Sequence, residues 1–161
     1  MPPLPLPKGR IHEHFCVGDI WFRSEDGFLF GVCQQRISQK SFVISDMLEV
    51  LPLKASPIDV DLSSTLLEIL LNHITSLQPK KLETNFDHTE ALLSACEKWG
   101  IDQCILKRFR QRMYDLSVED PWELLFWPAE RRDRHMDRAA LERMTPATFT
   151  RGRKRHRGRN A

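Results

Sequence analysis

Residues 18–33 read GDIWFRSEDGFLFGVC, with two runs of bulky apolar residues on either side of a short turn signal. Residues 20–23 and 28–32 each alternate with a period of two, which is typical of strands. The Asp26-Gly27 pair between them favours a tight hairpin turn in which both positions take positive φ. Because both runs carry large side chains on both faces, we expect helices to cover one side of the sheet and the other side to be partly covered.

The residues that follow change from a strand period to a helical one. Residues 33–50 predict two short helices, with Ser38 and Ser41 providing caps or a break between them. Residues 56–62 alternate apolar and acidic residues, which predicts a half-buried strand that returns to the sheet. The apolar residues on one face of that strand are Ile58, Val60 and Leu62.

The remainder of the chain predicts helices. Thr65 and Glu68 have capping-box spacing, so we expect a helix from there to about Leu77, before Pro79. Its buried side is predicted to carry Leu66, Leu67, Leu70, Leu71 and Ile74. A second helix opens at Asp87 and stops at Gly100. A third is predicted to bury Ile105, Phe109, Met113 and Leu116.

The C-terminal part predicts two more helices. Residues 120–123 read DPWE, which places a capping Asp before a Pro at the first helical position. Residues 131–144 predict a charged helix whose narrow apolar face carries Met136, Ala140, Leu141 and Met144. Trp122, Phe126 and Trp127 either pack this extension onto the domain or form an exposed interface, since aromatic residues anchor both.

Charge is segregated along the chain of 161 residues. A dense basic run near the end contains Arg151, Arg153, Lys154, Arg155, Arg157 and Arg159. Removing these six from the 24 basic residues leaves 18 against 22 acidic residues, a net charge of −4. The tail is therefore a nuclear-import signal, a weak contact for nucleic-acid phosphates, or a solvated end without a dedicated partner.

The ends and the cysteines predict an intracellular protein. Residues 1–14 begin with a proline-rich run that predicts a flexible leader and does not resemble a signal peptide. No apolar run approaches the roughly 20 residues of a membrane helix. The four cysteines form no Cys-x-x-Cys pair, and we expect them to be reduced and buried. These features predict a cytoplasmic or nuclear location, and the basic run favours the nucleus.

Several of these motifs together resemble the opening of a BTB/POZ domain. They are Gly18 to Arg23, Asp26-Gly27, Phe30 to Cys33, Ile37, Ser41, Ile44 and Asp46-Met47-Leu48. The similarity extends over residues 15–115, and the layout resembles short stand-alone fungal BTB proteins. It implies an α+β fold in which a small, mostly antiparallel sheet is capped by helices, here with additional C-terminal helices. The predicted organisation is a leader at 1–14, the BTB-like domain at 15–116, a helical extension at 117–146 and a disordered basic tail at 147–161.

The resemblance implies a protein-interaction role, with self-association burying the N-terminal strand and first helix. The residues it assigns to interaction are Asp19, Trp21, Cys33, Gln34 and Ile37. Two of them depart from the family pattern, because Cys33 replaces a histidine and Gln34 replaces the basic residue that follows it. Asp19 therefore lacks the basic partner found in members that recruit corepressors. The hydrophobic-x-Glu pattern associated with cullin recruitment is not evident at residues 76–79.

The sequence contains no recognisable catalytic constellation, phosphate-binding glycine loop or cofactor motif. His12-x-His14 with Cys16 comes nearest to a metal cluster, but zinc sites need further ligands and no second pair stands nearby. We therefore predict no catalytic, cofactor or metal site and no small-molecule substrate.

The leading prediction is a non-enzymatic interaction module that forms a homodimer or docks another protein. Two alternatives stay open. One is a substrate adaptor for a cullin-type ubiquitin ligase, and the other is a nuclear, nucleic-acid-associated protein acting through its tail.

Overall fold

A computed structural model describes residues 8–50, 56–119, 121–126, 134–148 and 150, with the backbone alone described at 124–126. The described strands are β1 (Arg10–Cys16), β2 (Ile20–Arg23), β3 (Phe28–Val32) and β4 (Ile58–Asp59). The helices are α1 (Gln34–Ser38), α2 (Phe42–Val50), α3 (Ser64–Thr75), α4 (Phe86–Trp99), α5 (Gln103–Glu119), α6 (Pro121–Phe126) and α7 (Arg134–Arg143). The fold is thus a mixture of helices with a small sheet, as expected for an α+β protein.

The sheet has four strands in the order β1-β3-β2-β4. The predicted hairpin is confirmed, because β2 and β3 pair antiparallel with Phe22 opposite Phe30. The two other pairings, β1 with β3 and β4 with β2, are parallel. The sheet therefore combines one antiparallel pair with two parallel ones, and the expected predominance of antiparallel pairing was wrong.

Strand β1 corrects the prediction of a flexible leader over residues 10–14, whereas residues 1–7 of that leader lie outside the described residues. Residues 10–16 join the sheet, with Ile11 opposite Leu29 of β3. The strand pattern is hard to recognise in the sequence because polar residues interrupt it. The polar residues of β1 are Arg10, His12, Glu13 and His14, and only a few side chains of the strand are covered. An edge strand tolerates such polar residues because only one of its sides pairs with a neighbour.

The turn between β2 and β3 is longer than predicted. Gly27 has a φ of 84°, but no described residue other than glycine has positive φ, so Asp26 does not. The chain instead closes a four-residue loop in which the Ser24 N–H donates to the Phe28 carbonyl oxygen at 2.9 Å. The Ser24 hydroxyl also accepts a hydrogen bond from the Phe28 N–H at 3.0 Å. Asp26 therefore does not adopt the positive φ that the sequence predicted for it.

Among the described residues, those up to 83 together with 91–107 form a first compact unit, and 84–90 with those from 108 onward form a second. This division falls within α4 and α5. In the first unit, side chains from β2, β3, α1 and α3 are fully buried, and Phe22 stacks on Trp99 with ring centroids 5.5 Å apart. The buried side chains of these four elements include Phe22, Leu29, Phe30, Ile37, Leu67, Leu70 and Leu71.

The caps of the first unit differ in part from those predicted. The two short helices are confirmed as α1 and α2, and the Ser41 hydroxyl accepts a hydrogen bond from the Ile44 N–H at 3.1 Å. Helix α3 begins earlier than expected, because Ser63 caps the Leu66 N–H and Thr65 lies inside the helix. The predicted Thr65–Glu68 capping box was therefore wrong. The predicted strand at 56–62 is regular only over Ile58–Asp59.

In the second unit, Phe109 and Met113 are buried as expected. Helix α7 buries Met136, Ala139 and Ala140, while Leu141 is 62% exposed. Met136 and Ala140 are therefore buried as predicted, whereas Leu141 is not, and Ala139 is buried instead. Trp122 is half-buried, and its indole N–H donates to the Thr148 carbonyl oxygen at 2.8 Å. The side chains of Phe126 and Trp127 lie outside the described residues.

Within the described part of the chain, every helix is either too short or too polar to span a membrane.

Candidate functional site

Strand β1 lies at one end of the sheet, and β3 is its sole strand neighbour among the described residues. The parallel pairing with β3 is irregular between Ile11 and Cys16. Just after the strand, Val17 is 84% exposed. A strand in this position presents unpaired backbone N–H and C=O groups along its outer side, which can accept another strand.

Asp19 and Gln34, predicted as interaction residues, are brought together. The Gln34 backbone N–H donates to the Asp19 carboxylate at 2.5 Å. Because the Cys33 side chain makes no capping hydrogen bond, Asp19 supplies the cap of α1 from a distance in sequence. Its carboxylate is thus paired with backbone and not with the basic side chain that the family pattern would provide.

Both residues line an open groove of about 530 Å³ in the first unit. Its other walls come from α1, the residue that follows α1, and α2. The lining residues are Asp19, Gln34, Gln35, Ser38, Gln39, Ser45, Leu48 and Glu49. This lining is mostly polar and contains two carboxylates, so the groove suits hydrogen-bonding groups better than an apolar anchor.

The three remaining interaction residues occupy different environments. Trp21 is half-buried and opposite Gly31 of β3. Ile37 is fully buried in the core, so its side chain is not available to a partner in this conformation. Cys33 is exposed, which corrects the expectation of a buried thiol in place of the family histidine.

The cysteines as a set also depart from the prediction. Cys96 alone is buried, and Cys16, Cys33 and Cys104 are exposed. Burial, and secondarily the charge of Glu97, raises the pKa of the Cys96 thiol to about 12. The apolar residues that flank these cysteines in sequence did not indicate whether each thiol is buried or exposed.

A group of metal-binding donor types lies between β1 and α3. His12, His14 and Glu68 each offer one donor atom, and these atoms lie within 4.8 Å of one another. The His12 Nε2 atom is 3.6 Å from Glu68 Oε2, and the His14 Nδ1 atom is 3.2 Å from Glu68 Oε1. Cys16, which the sequence placed beside the two histidines, is not a member of this group.

Sequence reasoning missed Glu68 because it assigned that residue to a helix cap. Glu68 follows His14 by 54 positions, and only the packing of α3 near β1 brings the two together. The available signal was the His-x-His spacing, which places two imidazoles on the same side of any strand. The spacing alone did not predict a site, because no second pair of ligands stands nearby in the sequence.

The basic residues Arg151 to Arg159 lie outside the described residues, so the predicted tail contacts have no structural counterpart here. In comparisons with known proteins, no family model matches the chain, and no curated protein matches it at a significant level.

Proposed function

We propose that this chain is a non-catalytic protein-interaction module of the BTB/POZ type that acts by forming a homodimer. The resemblance carried by residues 18–48 supports the proposal. So does the order of two antiparallel strands followed by two short helices, which is the opening that the resemblance implies. The proposed interface is the outer edge of β1 with Val17 and the beginning of α1.

The observation that carries the proposal is the position of β1 at the edge of the sheet. Its seven residues are enough to form a ladder with a second strand. The unpaired N–H and C=O groups along the outer side of an edge strand can pair with another chain. Pairing with a second copy would satisfy the outer backbone groups and cover Val17.

A second copy of this chain is the partner that this edge suits, because two copies of the same strand can pair antiparallel about a twofold axis. Such a pair satisfies the outer backbone groups of both copies at once.

Light scattering coupled to size-exclusion chromatography tests the proposal on the full chain at tens of micromolar. We expect a dimer that dissociates on dilution. Val17→Asp should shift the protein toward the monomer, because it introduces a charge at the interface. Leu141→Asp is the matched control, since Leu141 is an exposed apolar residue of the second unit. A wild-type monomer throughout this range would overturn the homodimer.

A further inference from the structure

We infer that His12, His14 and Glu68 form a binding site for a divalent transition-metal ion, with Zn²⁺ as the ion that this donor set suits best. The site lies within the first unit, between the edge strand β1 and helix α3. All three residues belong to one chain, so a single copy supplies the three protein ligands.

The backbone brings these donors together. Side chains two positions apart in a strand point to the same side, so β1 presents His12 and His14 toward the same region. Glu68 reaches that region from the first half of α3, where Ser63 performs the capping that the sequence had assigned to Thr65 and Glu68. The Glu68 carboxylate is therefore available to face the two imidazoles.

The spacing between donors approaches that of a tetrahedral site. With metal–donor bonds of 2.0–2.1 Å, tetrahedral donors stand about 3.4 Å apart. The His12 Nε2 atom is 3.6 Å from Glu68 Oε2, and the His14 Nδ1 atom is 3.2 Å from the other oxygen, Oε1. One donor atom from each residue lies within 4.8 Å of the other two, so side-chain rotations that draw the three together would complete the site.

Neighbouring side chains lie close to both imidazoles. The His12 ring stacks on Phe30, with centroids 4.5 Å apart and planes inclined by 18°. The second ring nitrogen of His14, Nε2, stands 3.8 Å from a Glu13 carboxylate oxygen. A carboxylate near the ring nitrogen that does not bind the ion is a common outer partner of metal-binding histidines. Glu13 would accept a hydrogen bond from Nε2 if binding of the ion by Nδ1 brought the His14 ring closer to it.

The donor chemistry selects the class of ion. Two imidazoles and one carboxylate match the three protein ligands of open zinc sites, in which water takes the fourth position. Imidazole nitrogen binds Zn²⁺, Cu²⁺ and Ni²⁺ better than it binds Mg²⁺ or Ca²⁺, which prefer oxygen. The side chains of His12, His14 and Glu68 are 14%, 58% and 28% exposed, so the site is open to an ion from solution.

Lys80 provides a test that distinguishes a metal site from a purely structural arrangement of these side chains. Its ammonium nitrogen stands 3.8 Å from Glu68 Oε1, the oxygen that also faces His14. A metal cation and this ammonium group compete for the same carboxylate and repel each other. Removing Lys80 should therefore strengthen metal binding. A purely structural arrangement of Glu68 with the histidines makes no such prediction.

Isothermal titration of the full chain with ZnCl₂, under a non-chelating reductant, tests the site. We expect one ion per chain in the wild type. His14→Gln and Glu68→Gln should each weaken binding by at least the roughly tenfold that loss of even an outer partner costs. Lys80→Ala should strengthen it. His88→Gln is the matched control, because His88 is an exposed histidine outside the site and should leave binding unchanged.

Cobalt(II) spectroscopy separates this site from the exposed cysteines. Binding by two imidazoles and a carboxylate gives visible d–d bands without the near-ultraviolet charge-transfer band of a thiolate ligand. Circular dichroism and thermal unfolding establish that each variant is folded, and His14→Gln is the safest variant because His14 is the most exposed ligand. The inference is overturned by a wild type that binds no zinc. It is also overturned if His14→Gln and Glu68→Gln bind as tightly as His88→Gln, or if cobalt binding shows the thiolate band.

Discussion

The carboxylate of Asp26 accepts hydrogen bonds from both the backbone N–H and the hydroxyl of Ser64, at 2.8 Å and 2.5 Å. Asp26 stands in the turn between β2 and β3, and Ser64 is the first residue of α3. The turn thus fixes the start of a helix 38 positions further along the chain. A carboxylate at a helix N-terminus also interacts favourably with the helix dipole.

Replacing Asp26 should destabilise the protein through the loss of this contact. We expect Asp26→Ala to lower the free energy of unfolding by about 0.5–1 kcal/mol, the lower part of the range for helix caps, because the carboxylate is exposed to water. Urea denaturation followed by circular dichroism measures the change. Asp61→Ala is the control, since Asp61 forms only an exposed ion pair with Lys98 and should cost much less. Equal effects of the two variants would contradict a capping role for Asp26.

The same contact predicts how stability depends on pH. Hydrogen bonds from Ser64 lower the pKa of Asp26 below its ordinary value of 3.8. The Cys104 backbone N–H, and secondarily Lys40, lowers the pKa of Asp102 in the same way. Because both folded pKa values are depressed, the stabilisation is fully present above pH 3.8 and is lost as the pH falls through the folded values.

Thermal unfolding from neutral pH into the acid range measures this loss. The double variant Asp26→Asn, Asp102→Asn should show a shallower decline of the melting temperature below pH 3.8 than the wild type, because its side chains no longer titrate. Parallel curves for the two proteins would show that other carboxylates control the acid sensitivity.

The sequence predicted the elements whose pattern is local and strong. These elements are the hairpin of β2 and β3 and the helices α1 and α2. Each was predicted because the period of its apolar residues and the turn or cap residues that bound it lie within a few positions of one another. Asp26 was correctly placed in a turn, but its bond to Ser64 joins residues that are distant in sequence. No periodicity within a window of a dozen residues reports such a contact.

The candidate metal site shows the same limit. His12 and His14 were noticed as a pair, but their segment was predicted to be mobile because polar residues mask the strand pattern of β1. Glu68 was assigned to a cap by its spacing from Thr65. In the folded chain Ser63 caps α3, and Glu68 faces the two histidines. Neither contact can be read from the local sequence.

The two serine caps of the first unit should differ in their contribution to stability. Ser41 is 1% exposed, accepts from the Ile44 N–H and donates its hydroxyl proton to the Trp99 carbonyl oxygen at 2.5 Å. Ser41→Ala removes both bonds and leaves two buried backbone groups without this partner. We expect a loss of about 1–2 kcal/mol in the free energy of unfolding.

Ser63 provides the comparison for that measurement. Its hydroxyl makes one longer bond, 3.4 Å from the Leu66 N–H, and the residue is only half-buried. Ser63→Ala should therefore cost roughly 0.5 kcal/mol, the lower end for an N-cap. Chemical denaturation of both variants under one set of conditions gives the difference. A larger loss for Ser63→Ala than for Ser41→Ala would contradict the roles assigned to these hydroxyls.

The environments of the cysteines predict two classes of thiol reactivity. Cys16, Cys33 and Cys104 are exposed, whereas Cys96 is buried and has a pKa raised to about 12. Because the thiolate is the reacting form, Cys96 should be almost inert at neutral pH. A disulfide reagent such as Ellman's should modify three thiols rapidly in the native protein and the fourth only on unfolding. Cys96→Ala should retain the fast phase and lose the slow one. A native fourth thiol that reacts as fast as the others would contradict the burial of Cys96.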